Sequence, residues 1–127
     1  SGTRAGWREE NGDNHLIVFD RDNNLLSEFY KANWTGSKWT AQYAACFQMN
    51  TNNRRTEGAT STDASGMAVF PGLVKYDDLF PADGVRPITH ATRFSVAMCP
   101  AAYVWPASHS GSADAYPSWP LGMRIRL

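Results

Sequence analysis

The chain has 127 residues, 43% of them apolar, and its 12 Lys and Arg balance 12 Asp and Glu. That length suits one domain with one core. The even charge lacks the basic excess of a nucleic-acid binder. No run reaches the roughly 18 apolar residues of a spanning helix, and no basic amphipathic segment suggests a membrane surface.

Residues 1–14 are polar, with Glu9-Glu10-Asn11-Gly12-Asp13-Asn14 as a turn. His15-Leu16-Ile17-Val18-Phe19 is apolar on both sides, which predicts a central strand. Asp20 to Asn24 is a tight turn, and Leu25 to Ala32 returns as the second arm of a hairpin. Asn33 to Lys38 turns again, and Trp39 to Met49 is a third strand with room for a bulge. Strand, short turn and strand in succession mark a β-meander.

Residues 50–66 form a long polar loop, of the kind that is functional or mobile. Within it Thr62-Asp63-Ala64-Ser65 suits the cap of a short helical turn. Phe70 to Val74 is a turn, and Lys75 to Phe80 a short helix. Ile88 to Val96 alternates as a strand, with Ile88, His90, Thr92, Phe94 and Val96 facing the core and Arg93 on the opposite side. Ala101 to Trp105 and Met123 to Leu127 are further strand-like runs. The fold class expected is mainly β: one domain over residues 1–127, a β-sandwich or compact β-barrel with long loops and at most short helices. No signal peptide opens the sequence, and both ends read as cut.

Abundant Asn, Thr, Ser, Gly and Trp with little Lys or Glu point to secretion. A Cys46–Cys99 bridge would then contribute about 4 kcal/mol in the loop-entropy model; in a cytosolic protein both would be buried thiols. Asn33-Trp34-Thr35 is a glycosylation sequon.

Several segments resemble, in the same order, a group of secreted bacterial proteins of unassigned function, some of them next to carbohydrate-binding modules. They are residues 15–22, 60–66, 70–78, 89–96, 103–109 and 121–127. The resemblance covers most of residues 13–127. It implies secretion, an extracellular polysaccharide as ligand, and a domain that continues past Leu127. It carries no established activity.

Three sets of residues could do chemistry. His15, His90 and His109, each in or beside a strand-like run, could hold a divalent metal such as zinc or copper; the plainer reading is two satisfied core histidines and one loop residue. A glycosidase needs two carboxyl groups roughly 5 Å or 6.5–9.5 Å apart. Asp63 in the long loop and Asp20 at the end of the first strand are the acid/base candidates, with His90 and His109 shaping the site. Turn and cap chemistry explains the same residues.

Arg93 could clamp a uronate or sulfate. Trp34, Trp105 and Trp119 could stack on sugar rings if exposed. No Gly-x-Ser-x-Gly elbow or phosphate loop is present. The residues therefore lean toward a secreted carbohydrate-active enzyme, a hydrolase of extracellular polysaccharide. A non-catalytic glycan-binding or structural module and a three-histidine metal protein are the alternatives.

Overall fold

The structure, a computed structural model, describes residues 11–84, 87–96, 98–111 and 118–126. Its elements run in the order β1 (Leu16–Asp20), β2 (Leu25–Tyr30), β3 (Asn33–Trp34), β4 (Trp39–Thr40), β5 (Tyr43–Gln48), a 3-10 turn (Phe70–Gly72) and α1 (Tyr76–Leu79). The chain is thus mainly β among the described residues, and neither sheet closes into a barrel. No described helix is long and apolar enough to cross a membrane.

The principal sheet has the order β1-β2-β5, antiparallel throughout. The expected central position of β1 is corrected: β2 is central and β1 lies at an edge. The β1–β2 turn explains the pairing. Asp20 Oδ1 accepts the N–H groups of Asp22 at 3.0 Å and Asn23 at 3.1 Å. Asn24 then takes the left-handed region at φ 52°, which Asn tolerates better than most residues. The expected third strand is split. Trp39–Thr40 pairs with β3 in a small second hairpin, and the chain re-enters the main sheet at Tyr43.

Register assigns the two faces of the main sheet. Phe19 lies opposite Leu26, Leu26 opposite Phe47, and Glu28 between Ile17 and Ala45; directly opposed residues share a face. This face is covered by the segment from residue 59 to residue 70, with Phe70 against the Phe19 ring at 5.7 Å. Leu26, Ala45 and Glu28 are buried there. The other face carries Val18 and Leu25, and both are exposed.

Three expected strands are corrected. Residues 88–96 form no strand; Ile88, Phe94 and Val96, read as core-facing, are exposed, Phe94 at 59%. Alternation states which side a strand would present, but it supplies no partner for the backbone. Residues 101–105 make only a single bridge, Tyr103 with Leu121, and 123–126 are irregular, with Met123 and Ile125 exposed. Leu127 lies outside the described residues. Cys46 and Cys99 are not bridged; Cys46 Sγ instead lies 3.6 Å from Ser27 Oγ across the β2–β5 pair.

Candidate functional site

The polar centre of the molecule begins at Glu28. It stands on the core-facing side of β2, between Leu26 and Tyr30, and is 1% exposed. Its carboxylate accepts the N–H groups of Val69 and Phe70, both at 2.8 Å, and the Thr62 hydroxyl at 3.0 Å. A buried charge persists only where donors surround it. Here the donors are Thr62 in the long loop and Val69 and Phe70 just after it, so Glu28 fastens that stretch to the sheet. Sequence reading missed this residue. The signal was a carboxylate sharing the parity of Leu26 and Tyr30 on a strand's inner side.

The loop so fastened carries Asp63. Asp63 Oδ2 accepts the Ser65 N–H at 3.0 Å and the Ser65 hydroxyl, and pairs with Arg93 Nη2 at 2.6 Å. Arg93 Nη1 donates to the Ala68 carbonyl at 2.8 Å, and the Arg93 N–H to the Gly72 carbonyl at 3.2 Å. The helical turn expected at 62–65 is corrected: the segment is a turn in which Asp63 binds Ser65, and it caps no helix.

Residues 107–109 close the cluster from the other side. Ser108 is 1% exposed and donates through its hydroxyl to the Ala59 carbonyl at 2.8 Å. His109 Nδ1 lies 2.9 Å from the Ala64 carbonyl oxygen. Asp63, Arg93 and His109 therefore do gather around one loop, as parts of a hydrogen-bonded frame.

The remaining candidates lie in other settings. Asp20 serves its turn, and the Asn23 side-chain amide, before the backbone contacts, holds its carboxyl below the usual carboxylate range. His90 Nε2 faces Asp78 Oδ2 at 3.1 Å beside α1, and its Nδ1 lies 3.2 Å from the Ala91 carbonyl oxygen. Asp78 also accepts the Lys75 N–H at 2.7 Å and pairs with Lys75 Nζ at 3.1 Å. The Lys75 N–H, then His90, then the Lys75 ammonium hold this carboxyl well below the usual range.

His15 packs edge-on against Tyr30 at 5.7 Å. The three histidines thus meet three different sets of neighbours. Among the described residues no group of His, Cys, Asp and Glu side chains could hold a metal ion.

The tryptophans are the exposed candidates. Trp34 and Trp39 face each other across the β3–β4 hairpin, ring centres 5.6 Å apart, at 39% and 45% exposure. Trp105 is 70% exposed, with the Arg124 guanidinium 5.1 Å from its ring centre. Trp119 stands edge-on to Phe94 at 6.0 Å. Flat aromatic faces open to water can take the apolar C–H side of a sugar ring. Comparison with known proteins found no match: no family model, curated protein or solved structure aligns with this chain.

Proposed function

We propose that the chain is a secreted, non-catalytic glycan-binding module that holds an extracellular polysaccharide or oligosaccharide on its exposed tryptophans. The observation that carries this reading is the Trp34–Trp39 pair, two indoles tilted 51° to each other on a short hairpin and exposed to water. The turn between them is braced, since Thr35 Oγ1 donates to the Lys38 carbonyl at 3.1 Å. A braced platform loses little freedom on binding, and that favours affinity.

The hydrolytic alternative needs two carboxyl groups flanking a bond. Asp20 is committed to its turn, and Asp63 to Ser65 and Arg93, so the binding reading is the simpler one. A β-sandwich belongs to the same proposal. It is supported by the apolar Val18 and Leu25 on the open side of the sheet, which a second layer would cover.

The test is retention of the chain on a panel of insoluble polysaccharides, with reducing-sugar release measured in parallel. Retention that weakens in the Trp34→Ala, Trp39→Ala double variant, with no sugar released, supports the module. Sugar release abolished by Asp63→Ala would replace it with the hydrolase.

A further inference from the structure

A second feature lies along the outer edge of β5. There the sheet and the start of the long loop form an open cavity of about 280 Å³. The residues lining it include Phe47, Gln48, Thr51, Asn53 and two adjacent arginines, Arg54 and Arg55. No Asp or Glu is among its described lining residues.

The two arginines differ. Arg54 is spent: it donates to the Ala107 carbonyl at 3.0 Å and pairs with Glu57. Arg55 is half-buried, and its one hydrogen bond among the described residues runs from Nη2 to the Tyr43 hydroxyl at 3.2 Å. No acidic side chain pairs with it among the described residues. Its Nε is buried without any hydrogen-bond partner. The buried Nε is closed to any arriving group, but a half-buried guanidinium without a counter-ion favours an oxyanion at its terminal nitrogens. The planar fork of Arg suits carboxylate and sulfate, which it can grip through two parallel bonds.

We propose that this cavity is an oxyanion subsite centred on Arg55. It takes the carboxylate of a uronic acid or the sulfate of a sulfated sugar, with Asn53 as a neutral neighbour, since Gln48 and Thr51 already donate to the Asn23 and Gln48 carbonyls. The choice of a sugar as carrier rests on the glycan-binding reading above; the anion site itself does not. The cavity is near the lower end of the range for small-molecule sites, which suits a single monosaccharide unit.

Two measurements on the full chain separate these claims. The first titrates inorganic sulfate, and separately galacturonate, at constant ionic strength into protein with ¹⁵N-labelled arginine. The Arg55 Nε–H signal, identified by its loss in Arg55→Lys, shifts saturably with at least one of them. Which anion shifts it distinguishes sulfate from carboxylate. Absence of a saturable shift with both overturns the subsite, whatever the chain does with polysaccharides.

The second measurement is electrophoretic retardation in gels containing polygalacturonate, dextran sulfate or neutral dextran. Arg55→Gln weakens retardation by the acidic polymers about tenfold, the loss of one charge-assisted contact, and leaves neutral dextran unaffected. Acidic-polymer retardation equal in wild type and Arg55→Gln overturns the subsite. A saturable Arg55 shift in a chain that no polysaccharide retards keeps the anion site and sinks the glycan reading.

Discussion

Arg93 joins Asp63 at 2.6 Å while its other terminal nitrogen holds the Ala68 carbonyl, so one guanidinium ties the long loop to the segment that follows it. Both side chains are about a quarter exposed, so solvent screening limits the strength of the pair. Asp63→Asn should cost about 1 kcal/mol and Arg93→Ala about 1–2 kcal/mol, because the second also orphans a carbonyl. The double variant should fall short of the sum by about 0.5 kcal/mol or more. Urea unfolding of the three variants measures this; strict additivity would show the pair to be inert.

Glu28 should be the most sensitive polar position. Glu28→Ala leaves the N–H groups of Val69 and Phe70 and the Thr62 hydroxyl without their acceptor. A loss of about 3 kcal/mol or more is expected. Glu28→Gln keeps the shape but turns one acceptor into a donor, and should cost about 1–3 kcal/mol. Thermal and urea unfolding should rank wild type above Gln and Gln above Ala.

Gly66 sits at φ 78°. A Cβ there would come 2.6 Å from the Ala59 carbonyl oxygen and 2.0 Å from Ser108 Oγ. Gly66→Ala should therefore destabilise by about 2 kcal/mol or more, combining left-handed strain with a clash against backbone. Gly58, also left-handed at φ 80° but with open space around it, should lose only about 1 kcal/mol as Ala. Comparing the two unfolding midpoints isolates the clash.

Asp78 gives acid sensitivity of a definite sign. Its folded-state pKa is depressed by the Lys75 N–H, His90 and the Lys75 ammonium. Its contribution is present in full above the ordinary carboxylate range and declines as pH falls below that range. Urea midpoints taken from about pH 7 down to about pH 2 should therefore fall less steeply in Asp78→Asn than in wild type. Equal slopes would mean that the Asp78 contacts do not contribute to folding.

The sequence made the local parts of this fold readable. The β1–β2 hairpin follows from its Asp- and Asn-rich turn, and α1 from the segment that ends before Pro81, because both depend on neighbours in the chain. What alternation could not reveal was whether a partner existed. Residues 88–96 have strand spacing, yet their backbone meets the 3-10 turn through the Arg93 N–H and the Gly72 carbonyl, and Phe94 stays exposed. Asp63, Arg93 and His109 lie around one loop, a grouping the sequence did not single out, while the three histidines it did single out meet separate neighbours; long-range hydrogen bonds such as Val69 to Glu28 are fixed by tertiary packing and leave no mark in composition.

The inner face of the sheet joins the Glu28 contacts to a modest apolar cover, Phe70 on Phe19, and the buried apolar side chains among the described residues are Leu26, Ala32, Ala45 and Ala107. Thermal unfolding of such an interior would release little oily surface into water. The heat-capacity increment should fall below the usual ~12–15 cal/mol/K per residue. The stability curve would be flat and broad, with warmth and cold eroding it only gradually.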